Sequence, residues 1–170
     1  MINKYDLNIE LYKGNILDVD CDAIVNAANS SLLPGGGVCG AIFKKAGYNE
    51  LNEACKRIGH CPTGSAVITD SFKLKQRYII HAVGPIYNGD ESRVYLKAVY
   101  EAILKLADEY KLESIAIPSI STGIFGYPKD EASRIALGVI NKYNTKRLKK
   151  VYLVCFDNET YSLYKNLIEE

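Results

Sequence analysis

Apolar residues recur along the chain in runs of two kinds. Short β-rich runs stand at Leu7–Tyr12, Ala23–Val25, Ala66–Thr69, Tyr78–Val83, Ser114–Ile117 and Val151–Phe156. Several, such as IAI and VYLVCF, are continuous rather than alternating, the pattern of strands covered on both faces. Between the strands the apolar spacing changes to three and four. Tyr95, Val99, Ala102, Ile103, Leu106 and Tyr110 form one stripe in a helix predicted over Glu91–Tyr110. Ala132, Ile135, Ala136, Val139, Ile140 and Tyr143 form a second stripe, and Tyr161, Tyr164, Leu167 and Ile168 a third. Another helix is expected to begin near Val38, with Ala41, Ile42, Lys45 and Ala46 along it. Strands alternating with helices predict α/β layers, with helices on both faces of a largely parallel sheet. No linker, repeat or charge block divides the sequence, so residues 1–170 are read as one domain. In such sheets the ligand crevice lies beyond the carboxyl ends of the strands, which is where functional residues are sought.

Composition narrows the classes. Of 170 residues, 48% are hydrophobic and 24% charged, an ordinary globular mixture that excludes a disordered tail protein. Lys and Arg total 21 against 20 Asp and Glu, so no field of one sign is available to steer nucleic acid or an acidic membrane. The apolar runs fall far short of the roughly 20 residues a bilayer span needs, and MINKYDLN lacks signal-peptide character. A soluble, cytoplasmic domain is expected. The five cysteines (Cys21, Cys39, Cys55, Cys61, Cys155) contain no C-x-x-C spacing, and His60 and His81 lie outside any H-x-x-x-H pattern. Neither a structural zinc site nor a cofactor is expected, and free thiols acting as small hydrophobes are the default.

Candidate chemistry gathers at two strand ends. After the strand ending at Val25 comes NAANSSLLPGGGVCG, with Asn29 followed by Gly35, Gly36, Gly37, Val38 and Cys39. Three consecutive glycines at a helix mouth let backbone N–H groups approach an anion or hydroxyls. A plain loop is the competing reading of the glycines, and a turn cap that of Asn29. Gly35-x-Gly37-x-x-Gly40 fits the dinucleotide fingerprint literally, but nine residues, Pro34 among them, separate it from the strand. No acidic residue ends a strand about 20 positions on, where Gly59-His60-Cys61-Pro62 stands, and the Rossmann reading fails. The second element, PSISTGIFGYP, follows the strand Ser114–Ile117 and precedes a helix expected near Lys129. Its Ser121, Thr122, Gly123, Ile124, Phe125 and Gly126 suit a phosphate cradle, and the absence of a following Gly-Lys-Ser/Thr excludes an ATPase P-loop. Two such loops on one sheet point to a diphosphate between them. Phe125 and Phe156 are candidates to stack on a sugar or base, with core packing the first reading of Phe156 and stacking the second.

These motifs carry a family resemblance. GNI at Gly14–Ile16, DAIVNAAN at Asp22–Asn29, GGGV from Gly35, CPTG at Cys61–Gly64, YIIHAVGP at Tyr78–Pro85, PSISTGIFGYP from Pro118 and VCFD at Val154–Asp157 run in order along nearly the whole chain. The sequence resembles a macro domain, the ADP-ribose-binding module. It is most similar to single-domain bacterial proteins of the MacroD type, which remove mono-ADP-ribose from proteins or deacetylate O-acetyl-ADP-ribose. The resemblance implies a three-layer α/β/α fold whose central sheet, mixed but largely parallel, has about six strands. It implies that Asn15 and Ile16 contact adenine with Phe156 packed beside it, and that Asn29 holds the distal ribose. It implies that Gly35, Gly36, Gly37 and Val38 surround that ribose and the adjacent phosphate. Ser121 through Gly126 then form the second phosphate loop, with Phe125 against the distal ribose.

Two departures from the family pattern bear on chemistry. Asn15 stands where the family usually has Asp, whose carboxylate accepts from the adenine amine. The amide oxygen is expected to accept still, more weakly by about 1 kcal/mol, with looser discrimination among bases. Cys39 stands where MacroD-type hydrolases carry an Asp, and Phe43 where they usually carry His. A neutral thiol is a poor general base, and as a nucleophile it would need a base beside it. Passive lining of the pocket is the preferred reading of Cys39. The expected function is therefore hydrolysis of ADP-ribose derivatives at the distal ribose, with Asn29 as the positioning group. The partners implied are ADP-ribosylated protein or O-acetyl-ADP-ribose. A non-catalytic ADP-ribose-binding module is the alternative, favoured by Cys39. Single-stranded nucleic acid is a weak third reading, because no basic track is present.

Overall fold

The computed structural model describes all of residues 1–170. The strands are β1 (Asn8–Lys13), β2 (Ala23–Ala27), β3 (Ala66–Asp70), β4 (Tyr78–Ala82), β5 (Ser114–Pro118) and β6 (Lys150–Cys155). The helices are α1 (Gly37–Ala46), α2 (Tyr48–Ile58), α3 (Asp90–Glu109), α4 (Lys129–Lys142) and α5 (Asn158–Glu169), with one 3-10 turn at Ile16–Asp18. The six strands form one sheet in the order β1-β6-β5-β2-β4-β3, in which only β3 runs antiparallel, against β4. The expected α/β/α layering and the mixed, largely parallel sheet are thus present.

Both sides of the sheet are buried, which is why its strands read as continuous apolar runs. In β5, Ile115 and Ile117 face one core and Ala116 the other; in β6, Val151, Leu153 and Cys155 oppose Val154. The larger core, of 27 residues, lies under α3, α4 and α5; the smaller, of 16, lies under α1 and α2. No helix is long and apolar enough to cross a membrane, and all five cysteines are free thiols.

Two details differ from the expectations. In α3 the buried face is Leu96, Val99, Tyr100, Ile103, Leu104 and Ala107, whereas Tyr95 and Tyr110 are exposed. Both stripes satisfy three- and four-residue spacing, and packing of α3 on the sheet and α4 chooses the one rotated by a residue. The helix α2 was not anticipated. Its sequence YNELNEACKRI buries only Leu51 and Cys55, four residues apart, which is too thin a stripe to stand out.

Position in the sheet decides where a crevice opens. From β2 the chain runs through α1 and α2 to the far edge, while β5 leads through α4 to β6 on the other side. The chain thus leaves neighbouring strands in opposite directions, the topological switch at which open α/β sheets bind ligands. β2 and β5 pair only at Ala23↔Ile115 and Ile24↔Ala116, whereas β2–β4 and β5–β6 pair over five positions each. Beyond Ile24 the two strands part, and the sheet splits toward its carboxyl edge.

On the other flank of β2 a buried polar chain ties three strands. Asn26 Nδ2 donates to His81 Nδ1 at 3.1 Å, which makes Nε2 the protonated nitrogen; it lies 2.9 Å from Thr69 Oγ1, whose hydroxyl donates to Asp70 O. Desolvation pushes His81 down to about 4 from its ordinary 6.5. Because the unfolded chain takes up the proton first, this group costs stability as pH falls through 6.5 and adds no further loss below about 4. The stability difference between the wild type and a His81→Asn variant, followed by urea unfolding, is expected to shrink by about 3 kcal/mol over that interval. A difference that does not change with pH would contradict a buried neutral imidazole.

Candidate functional site

The split is walled by two loops. The first leaves β2 at Ala27 and is closed by Asn29, whose Nδ2 donates to Leu33 O at 2.9 Å while Leu33 N–H donates to Oδ1 at 3.0 Å. The turn-cap reading of Asn29 therefore holds, and the side chain also lines the crevice. One N–H and one lone pair of the amide are left for a ligand. α1 begins at Gly37, whose φ of +55° favours glycine, and neither a capping side chain nor an acidic residue occupies its first turn. The backbone N–H groups of Gly35, Gly36, Gly37, Val38 and Cys39 have no acceptor within the protein. They form an arc at a positive helix end.

The second loop, Ser119 to Pro128, is anchored by its carbonyls. Tyr127 N–H donates to Ser121 O, Gly126 N–H to Gly123 O and Tyr87 N–H to Phe125 O. The N–H groups of Ser121, Thr122, Gly123, Ile124 and Phe125 have no acceptor in the protein, a second arc of five. Ser121 sits at φ +68°, a costly conformation for serine, and its hydroxyl is buried without a partner. Ser119 and Thr122 hydroxyls bond each other at 2.7 Å. The helix α4 does not line the crevice, and its first turn carries Asp130 and Glu131, so the cradle is the loop itself.

The arcs bound two cavities. One, of about 540 Å³, is lined by Ala28, Asn29, Gly35 to Cys39 and, across the split, Ser121, Gly123, Ile124 and Phe125. The other, of about 430 Å³, holds Asn15, Ile16, Thr122 and Phe156. Both share Gly37, Val38, Pro118, Ser119 and Gly123, so they are two ends of one groove whose waist takes Gly37 and Val38 from the first arc and Gly123 from the second. Phe156 is 80% exposed, which overturns core packing as its first reading: it stands one residue beyond β6 with its ring at the groove. Gly126 lines neither cavity; at φ +73° it shapes the turn instead.

The groove's electrostatics come from the backbone. No Lys, Arg or His lines either cavity, and Asp157 at the Phe156 end is the one charged residue. That carboxylate is engaged, accepting from Thr160 N–H at 2.7 Å and pairing with Lys129 at 3.4 Å. The hydrogen bond from Thr160 and the nearby Lys129 hold its pKa below the usual carboxylate value. Cys39 is the sole titratable side chain in the larger cavity. Sequence reasoning missed Gly84, at the end of the HAVGP segment, as a constraint on the site. A Cβ there would lie 2.3 Å from Ser121 Oγ and 2.4 Å from Ile120 Cγ2, so the second loop keeps its path because position 84 has no side chain.

Residues 25–136 match the family model of the macro domain, and the chain belongs to that family. It is 50% identical over 169 residues to a macro domain-containing protein of Caldanaerobacter subterraneus subsp. tengcongensis, covering 95% of this chain and 96% of that protein. It is 42% identical to the O-acetyl-ADP-ribose deacetylase of Salmonella gallinarum, covering 95% and 94%. Among solved structures, a Gly-to-Val variant of the Oceanobacillus iheyensis macrodomain with ADPR superimposes with a TM-score of 0.91 at 41% identity, over 100% of this chain and 99% of that one.

Gly84→Ala is expected to destabilise the protein by about 1–3 kcal/mol through overpacking, lowering the melting temperature by several degrees. Gly123→Ala, where an added Cβ meets nothing within 4 Å, should be close to neutral. Equal melting temperatures for the two variants would show that the close approach at Gly84 is not a constraint.

Proposed function

We propose that the protein binds ADP-ribose and hydrolyses its derivatives at the distal ribose, as protein-linked mono-ADP-ribosyl esters, O-acetyl-ADP-ribose or both. The observation that carries this reading is the pair of loops walling one groove, each with five N–H groups that have no acceptor in the protein. Ten N–H groups without internal acceptors, and no cation, suit a diphosphate held by dipoles. The exposed Phe156 ring supplies a stacking surface for the base at one end. Asn29 and Phe125 lie at the other, where the distal ribose would sit. Relatives support the assignment: one solved macrodomain of similar structure carries ADPR, and one curated relative is an O-acetyl-ADP-ribose deacetylase.

In the hydrolytic reading, water adds to the ester carbonyl, the bond from the acyl carbon to the ribose oxygen breaks, and that oxygen takes up a proton from the water. ADP-ribose and a carboxylic acid result. The larger cavity offers no carboxylate, imidazole or ammonium group to drive proton transfer. In this reading a phosphate oxygen of the substrate itself acts as the base, and the protein contributes orientation: bent diphosphate, fixed ribose, placed water. Cys39 as the only titratable lining group favours the second reading, a binding module without turnover.

Release of free ADP-ribose from a glutamate-linked substrate separates these readings. Wild type is expected to turn over, and Asn29→Ala to slow release by about a hundredfold. An Asn29→Ala rate equal to wild type would remove the positioning mechanism. A wild-type protein that binds ADP-ribose and releases none would be a binding module. Cys39→Asp is expected to raise the rate by at least about tenfold by restoring a general base; an unchanged rate would mean that the missing carboxylate is not limiting.

A further inference from the structure

Asn15 is the N-cap of the 3-10 turn Ile16–Asp18, and its Oδ1 accepts the Leu17 N–H at 2.9 Å. A backbone N–H bonds to the oxygen of an amide and never to its nitrogen, so this contact fixes which way the side chain faces. Oxygen and nitrogen share one planar carbon, and seating the oxygen on the turn swings Nδ2 away from it. Nδ2 has no partner in the protein, and Asn15 lines the Phe156 end of the groove. The next amide, Ile16 N–H, opens the turn and has no intrahelical acceptor. The turn thus takes up one lone pair of the Asn15 oxygen, and successive residues carry two donors without partners in the protein, Nδ2 and the Ile16 N–H.

A base edge that answers two donors carries two adjacent acceptors. Among purines this is the O6/N7 pair of the 6-oxo bases, guanine and hypoxanthine, whereas adenine sets an amine donor beside N7. We infer that Asn15 sets the base specificity of this groove and turns it toward 6-oxopurine diphosphoribose, so that a hypoxanthine or guanine nucleotide is accepted at least as well as adenine. The inference rests on the ADP-ribose reading for the placement of the base beside Phe156. Asp157, the only other amide or carboxylate side chain at this end, pairs with Thr160 N–H and Lys129, and the remaining side-chain oxygens there are the hydroxyls of Ser119, Thr122 and Thr160.

Calorimetric titration of wild type and Asn15→Asp with ADP-ribose and with its hypoxanthine counterpart tests this. The Asp variant keeps an oxygen on Leu17 N–H, so the turn stays capped, and replaces the outward donor with an acceptor. Wild type is expected to bind the hypoxanthine form at least as tightly as ADP-ribose, and Asn15→Asp to shift the affinity ratio toward adenine by about tenfold or more. Any general effect of the added charge on the diphosphate acts on both ligands and cancels in the ratio. A tenfold wild-type preference for ADP-ribose that Asn15→Asp leaves unchanged would overturn this inference alone. Failure of wild type to bind either nucleotide would overturn the ADP-ribose reading, and this inference with it.

Discussion

The structure turns on the parting of β2 from β5. Two parallel strands that pair for only two positions leave a gap in an otherwise continuous sheet, and everything that bears on ligands stands along its rim. The divergence has a topological cause, since the chain leaves these strands in opposite directions and neither loop can cross to cover the other. On their outer flanks both strands are held by five-position ladders, and β2 also by the Asn26–His81–Thr69 chain. The gap is thus a fixed feature of the backbone rather than a place where packing failed.

Along that rim the division of labour is unusual in its dependence on main chain. Carbonyl groups of the second loop are taken up by the N–H groups of Tyr127, Gly126 and Tyr87, while the amides of Ser121 to Phe125 have no acceptor in the protein. The first loop achieves the same by ending at an uncapped helix start. Side chains then act at the two ends: Asn29 and Phe125 at one, Asn15 and Phe156 at the other. Strain concentrates where the second loop meets Gly84, with Ser121 in the left-handed region and its hydroxyl unpaired. Distorted backbone that persists beside a cavity is held there by its surroundings, here by the Tyr127 contact and the missing Cβ at position 84.

Much of this was legible in the sequence. Short β-rich runs marked all six strands to within two residues at each end, most plainly the central ones, where burial on both faces leaves few polar interruptions. The glycine loops were recognisable because glycine and strand-end position coincide there. α2 was hidden by its two-residue stripe, and the α3 face was ambiguous because two stripes meet the same spacing rule. Phe156 was misjudged for a different reason: apolar character does not reveal whether a strand has already ended. Nor could sequence orient the Asn15 amide, since its polarity depends on a contact with Leu17 that exists only once the turn has formed.

A grip built from peptide groups has an evolutionary corollary. Substitution changes side chains and leaves N–H dipoles in place as long as the chain keeps its path. The rows of unpaired amides can therefore persist through drift that rewrites the side chains at either end. Cys39 shows the separation in a single residue: its amide belongs to the arc whatever its side chain is, so change at this position can alter the chemistry of the pocket without dismantling the arc.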